Sequence, residues 1–239
     1  SEEEALKMLR EARRQGIREI IATPHFGRTF PNNCPEKIRD MCRDLQEKAE
    51  QKKIGINIYP GQEIMYSEEV PEMISRGELL TLADSRFVLV EFHFGVAYSE
   101  VLRAVRMLMM EGYSPILAHI ERYKDLRRAE RIEELIAQGA YIQVNFSSAG
   151  GKWYSETTRW CRTLLSSELV HFMGTDMHNM TSRKPATEEA VRWMEKKLNA
   201  AYVKRLLRGN AKRLIKNEKR KRKGAWKKNM MMMKLKSIW

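Results

Sequence analysis

Cysteine is scarce in this 239-residue chain: Cys34, Cys42 and Cys161 are an odd number and share no Cys-x-x-Cys spacing. That excludes a disulfide framework and a zinc ribbon, and points to a reducing compartment. The residues six places after each cysteine are Asp40, Lys48 and Ser167. None is arginine, so a phosphate-cradling Cys-x5-Arg loop is excluded. No G-x-x-x-x-G-K-[ST] nucleotide loop and no G-x-S-x-G nucleophile elbow occurs. No apolar run approaches the roughly 20 residues that span a bilayer, and no signal peptide opens the sequence. The expectation is a cytoplasmic protein without membrane insertion.

Positive charge is plentiful, but only at one end. The segment from Lys204 onward holds fifteen of the 44 basic residues and one of the 31 acidic ones, Glu218. The preceding 203 residues therefore carry a formal charge of −1 within a total of +13. Residues 217–239 end in a basic, methionine-rich run, expected to be a disordered tail rather than a packed element. The alternative is a polyanion-binding arm making peripheral contact with nucleic acid, anionic lipid or an acidic partner. Nothing in it reads base sequence, so no specific nucleic-acid partner is expected.

The first 216 residues alternate short apolar runs with amphipathic stretches. Six runs end at residues able to bind a metal or hold a phosphate: EIIATPH at His25, NIYPGQE at Glu63, FVLVE at Glu91, PILAH at His119, YIQVN at Asn145 and VHFMGTDMH at Asp176 and His178. Apolar strands with polar endings belong to a parallel sheet whose carboxyl edge is a working site. Between them lie helical patterns such as PEKIRDMCRDLQEKAEQKKIG and SEVLRAVRMLMMEGY, several stopping at a glycine (Gly16, Gly55, Gly112, Gly139). Strand, helix and short turn in alternation predict right-handed βαβ units. Six strands fit an open doubly wound sheet or a barrel; functional residues at every strand end favour the barrel. Ser1 and Glu4 form a capping box, so the sequence opens on a helix and a first strand is expected to be lacking.

TPH at 23–25, GQE at 61–63, ADSRFVLVEF at 83–92, AHIERY at 118–123, QVN at 143–145 and TDMHN at 175–179 carry a family resemblance. From Ser1 to Lys216 the chain resembles the bacterial PHP-domain tyrosine phosphatases. These are manganese-dependent enzymes of capsule and exopolysaccharide operons in the polymerase-and-histidinol-phosphatase superfamily. The resemblance implies a distorted (β/α)7 TIM-like barrel over residues 1–216. It also implies metal ligation by His25, Glu63, Glu91, His119, Asp176 and His178, with Glu91 bridging two metals. Arg122 and Arg183 fall where the family contacts phosphate, and His178 is a ligand or the proton donor to the leaving group. The implied cofactor is Mn2+, two or three ions in the intact family. The implied partner is the phosphotyrosine tail of a bacterial tyrosine kinase. This sequence departs from the family in having no Asp-x-His-x-His strand, which predicts fewer metals here and weak turnover.

The residue types suit that chemistry independently. Imidazoles and carboxylates bind manganese, iron or zinc, and arginine's planar fork donates two parallel hydrogen bonds to phosphate. Glu63 and Glu91, following apolar runs, are costly to bury without a metal or a basic partner. Plainer readings stand beside these. His171 and His93 read as core residues, Arg122 as a surface partner of Glu121 or Asp125, Asn145 as a structural hydrogen-bonder, and MLMM at 107–110 as helix core. Three functions remain: a phosphotyrosine phosphatase, a histidinol-phosphate or other small phosphomonoester hydrolase, and an inactive fragment that only binds.

Overall fold

In the computed structural model, which describes residues 1–27 and 33–216, every strand pairing is parallel. The basic segment 217–239 lies outside the described residues. The chain opens with α1 (Glu2–Arg14), β1 (Glu19–Ala22), β2 (His25–Phe26), α2 (Pro35–Gln51), β3 (Asn57–Pro60) and β4 (Glu63–Met65). There follow α3 (Val70–Ser75), β5 (Phe87–Glu91), α4 (Tyr98–Met110), β6 (Ser114–Leu117), α5 (Ala129–Ala137), β7 (Tyr141–Asn145), α6 (Phe146–Ala149) and α7 (Glu156–Ser166). The last elements are β8 (Phe172–Gly174), α8 (Glu188–Lys197), α9 (Ala200–Lys204) and α10 (Asn210–Ile215).

The capping reading of α1 holds: Ser1 accepts a hydrogen bond from the Glu4 amide, three glutamates fill the first turn and two arginines the last. Two of the expected strands differ from expectation. EIIATPH and NIYPGQE are each broken, giving β1 with β2 and β3 with β4; β1 pairs with β3, and β2 with β4. Pro24 and Pro60 lack an amide hydrogen for the ladder, so each run is interrupted beside its proline. His25 and Glu63 therefore open strands instead of closing them, and stand opposite each other in register.

The main ladder runs β2-β4-β5-β6-β7-β8, each crossover stepping to the next strand. No ladder among the described residues joins β8 back to β2. The sheet nevertheless curls. Beyond β8, the backbone amide and hydroxyl of Thr187 both donate to Gln15 Oε1 at 2.8 Å, just past the end of α1. The result is the expected TIM-like α/β fold in the form of a curled, open parallel sheet.

Period-two alternation sorts the strands into layers. Val88, Val90, Ile142 and Val144 face outward into the large core shared with the helices. The inward positions begin with an apolar plug of Phe87, Tyr141 and Phe172, whose ring centroids lie 5.2–6.3 Å apart, closed below by Leu214 of α10. Going up the same inner face, residues turn polar: Gln143 and then Asn145 on β7, and Glu91 on β5. The plug thus supports the floor of a polar mouth.

Truncating the plug should be felt throughout. Phe87→Ala is expected to lower stability by about 3–5 kcal/mol in urea denaturation followed by circular dichroism. A loss below about 1 kcal/mol would contradict the plug's role.

Candidate metal and phosphate site

Four of the expected ligands meet at the mouth. Donor atoms of His25, Glu63 and Glu91 lie within 4.8 Å of one another, a grouping able to hold a metal ion. His25 Nδ1 is 2.9 Å from Glu91 Oε1 and 3.7 Å from Glu63 Oε2. From the neighbouring strand end, His119 Nε2 stands 2.8 Å from Glu63 Oε1 and 3.3 Å from Glu91 Oε2. That nitrogen is buried, and its polar neighbours there are the two carboxylates. Two imidazoles and two carboxylates facing one another at this spacing are the arrangement expected of ligands converging on one cation, and the set suits manganese, iron or zinc.

Asp176 lies in a second cluster. Its Oδ2 accepts from the guanidinium groups of both Arg122 and Arg183, and from Asn145 Nδ2 at 3.1 Å. His178 Nδ1 is 3.0 Å from the Asp176 carbonyl and 3.6 Å from Oδ1, and its ring centroid lies 5.8 Å from that of His25. Asp176 and His178 thus adjoin the four-residue cluster. Arg122 pairs with Asp176, whereas Asp125 takes Arg131. His171 Nδ1 accepts the Ile142 amide at 3.2 Å, as a structural residue should, but His93, read as core, is exposed.

The electrostatics follow from burial against charge. For Glu91, burial works to raise the carboxyl, but His119 and His25 outweigh it and hold the group down at about 2. Burial likewise pushes His119 down, and Glu63 and Glu91 more than reverse this, leaving it up at about 9. His25 is raised, chiefly by Glu91. Asp176 is lowered: burial opposes this, and Arg122 and Arg183 overcome it. Protons on the two imidazoles occupy the positive role that a divalent cation would take over.

Both corner residues are strained. His119 (φ 34°) and Asp176 (φ 49°) adopt left-handed backbone, which costs of order 1 kcal/mol or more for residues other than glycine. A single buried amide couples them. Gln143 Oε1 accepts the His119 backbone amide, while its Nε2 donates to Asn145 Oδ1 at 2.8 Å; Asn145 in turn donates to Asp176. Gly174 leaves the space: a Cβ there would overlap the Gln143 amide and stand 3.1 Å from Asn145 Oδ1. Buried Tyr123 completes the support, its hydroxyl accepting the Phe92 amide at 3.0 Å and lying 3.3 Å from His119 Nδ1. Gln143, Gly174 and Tyr123 escaped the sequence reading. A polar Gln143 two places before Asn145, on a strand otherwise apolar, was the available signal, since a buried amide demands partners.

Comparison with known proteins bears on the family and the fold. The family model for capsular polysaccharide synthesis, CpsB/CapC, matches residues 1–216. The tyrosine-protein phosphatase CpsB of Streptococcus pneumoniae is 34% identical over 221 residues, 90% of this chain and 91% of that protein. The fold superposes with a TM-score of 0.86, at 30% identity, on a chain from the crystal structures of YwqE from Bacillus subtilis and CpsB from Streptococcus pneumoniae, called there unique metal-dependent tyrosine phosphatases. The match covers 92% of this chain and 89% of that one. A phosphotriesterase homology protein from Escherichia coli shares the fold alone, with TM-score 0.56 at 14% identity, covering 88% of each chain.

Two outcomes follow. Glu91, lowered from 4.5 to about 2, contributes stability that is present above pH 4.5 and lost as pH falls toward 2. His119, raised from 6.5 to about 9, contributes stability that is present below pH 6.5 and lost as pH rises through 9. With chelator present, the melting temperature should therefore decline from pH 6.5 to 9, and His119→Gln should flatten that decline; a wild-type profile already flat there contradicts the assignment. Gly174→Ala, by displacing Gln143 and Asn145, should weaken divalent-metal binding by about 10–100-fold in calorimetric titration. Unchanged affinity would show that the amide bridge does not hold the ligands.

Proposed function

The chain belongs to the capsular polysaccharide synthesis CpsB/CapC family, and we propose that it is a metal-dependent tyrosine phosphatase acting in the cytoplasm on the phosphotyrosine tail of a bacterial tyrosine kinase. One observation carries the reading: a buried His119 nitrogen held between the carboxylates of Glu63 and Glu91, beside an aspartate that aligns two arginines. No helix among the described residues is long and apolar enough to cross a membrane, and the three cysteines are free.

His25, Glu63, Glu91 and His119 are the residues we assign to hold the divalent ion, with Asp176 and His178 adjoining, and manganese is the ion we propose. When bound, it supplies positive charge to phosphoryl oxygens and acidifies water. Arg122 and Arg183, held side by side by the Asp176 carboxylate, take up equatorial charge on the phosphoryl group through parallel N–H donors. Gln143 and Asn145 keep the His119 and Asp176 corners in place, so the two clusters keep their spacing. His178 Nδ1 faces a carbonyl oxygen, so it carries the proton in the neutral ring and leaves the Nε2 lone pair for ligation. Protonated, the same ring can give its Nε2 proton to the departing phenolate, a leaving group of pKa about 10 that needs only modest help.

Assays of the full chain with added manganese, on a phosphotyrosyl peptide and on histidinol phosphate, separate the readings. The peptide should be the better substrate, and His119→Ala should reduce its turnover by about 100-fold or more. Faster turnover of histidinol phosphate would favour a small phosphomonoester hydrolase. Metal binding without turnover of either would favour a protein that only binds. Turnover indifferent to His119→Ala would remove the assigned metal site.

A further inference from the structure

A cavity of about 420 Å³ opens beside the metal cluster, between the carboxyl ends of β4 and β5 and the first turns of α4, lined in part by Tyr66, Phe92, Gly95, Val96 and Arg103. That volume lies at the small end of ligand sites. None of these residues belongs to the metal and phosphate clusters, but two of them adjoin Glu91. Phe92 directly follows Glu91, and the Tyr66 amide donates to the Glu91 carbonyl at 2.9 Å. The Phe92 and Tyr123 rings meet edge to face at 6.0 Å, and the Tyr123 hydroxyl lies 3.3 Å from His119 Nδ1. One buried tyrosine thus separates the cavity floor from the ligand His119.

Part of the wall is aromatic and apolar: Tyr66 packs on Phe92 at 5.6 Å, and Val96 lies beside them, while Ser67 and His93 add polar groups. The rim mixes signs, with Glu100 and an Arg103–Glu68 pair at 2.6 Å. Phe94, 70% exposed, projects from the same loop between the lining residues His93 and Gly95. A single exposed ring is common on protein surfaces; here its place beside the aromatic part of the cavity lets it cover a side chain bound there. Acidic groups on the rim disfavour an anionic bilayer there, and a concave aromatic slot suits a single side chain.

We propose that this cavity is a specificity subsite that receives an apolar, preferentially aromatic, side chain of the substrate polypeptide near its phosphotyrosine, with Phe94 covering that side chain. The proposal rests on the phosphatase reading and names what that site selects. An extended chain advances about 3.3–3.6 Å per residue, so the selected side chain lies within a few positions of the phosphotyrosine.

Binding to the full chain with manganese tests it without needing turnover. The probes are phenylphosphonate and peptides bearing a phosphonate analogue of phosphotyrosine, with phenylalanine or alanine scanned from three positions before it to three after. At one position phenylalanine should bind about tenfold tighter than alanine. Gly95 lines the cavity and a Cβ there meets no atom within 4 Å, so Gly95→Trp places an indole at the cavity without a clash. It should erase that preference while leaving phenylphosphonate affinity unchanged, and Phe94→Ala, a surface change, should reduce the preference. Equal binding at every position, with phenylphosphonate still bound, overturns the subsite alone. Failure to bind phenylphosphonate strikes the phosphatase reading, and the subsite falls with it. A preference that survives both variants, or Phe94-dependent sedimentation with anionic vesicles and no peptide preference, assigns the surface elsewhere and overturns the proposal.

Discussion

Two carboxylates, Glu63 and Glu91, are withdrawn from water at the mouth of a curled sheet, and they require positive charge there. Burying a carboxylate unpaired is far costlier than any single packing contact in the fold is favourable. Here the compensation comes from His25 and His119, each close to both acids. The sheet register makes that possible. His25 stands opposite Glu63, and Glu63 opposite Leu89, two places before Glu91 on the same face of the sheet, so side chains distant in sequence come within reach of one another. Parallel pairing of neighbouring strands, the plug of rings below and the helices outside all serve to hold that register. The same convergence that is awkward for a metal-free protein is a prepared cradle for a divalent cation.

Stability and function are in tension at the two left-handed corners. His119 and Asp176 would relax if their surroundings were loose, and the buried Gln143–Asn145 pair prevents this by bonding to both. The arrangement depends on the missing side chain of Gly174 as much as on any contact. It also separates charges by role. In the proposed site, His25, Glu63, Glu91 and His119 form an anionic cradle once a cation replaces the imidazole protons, while Arg122 and Arg183 share one aspartate and would turn their remaining N–H donors to an anion. A cation site beside an anion site is what phosphoryl transfer asks of a protein.

Much of this was legible in the sequence, because its signals are local. Apolar runs ending in polar residues marked the strands; the Ser1–Glu4 box and the glycine stops marked helix ends. His25, Glu63, Glu91, His119, Asp176 and His178 were singled out as one set; the structure gathers the first four and sets Asp176, paired with two arginines, and His178 beside them. What was not legible was non-local. The breaks at Pro24 and Pro60 move His25 and Glu63 to strand beginnings, a consequence of ladder hydrogen bonding that a run of apolar letters conceals. Gln143 could be recognised as a bridge only once β7 was known to face both β6 and β8. His93 follows a buried strand yet faces water because the chain turns outward directly after Phe92.

The central claim is that four side chains, His25 and Glu63 at strand beginnings, Glu91 at a strand end and His119 just past one, hold one divalent ion. Crystals of the full chain soaked in manganese, with diffraction recorded to bring out manganese anomalous scattering, test it most directly. The account predicts a peak within about 2.0–2.4 Å of donor atoms of His25, Glu63, Glu91 and His119. Manganese bound elsewhere, with those four side chains still pairing only with one another, would contradict it.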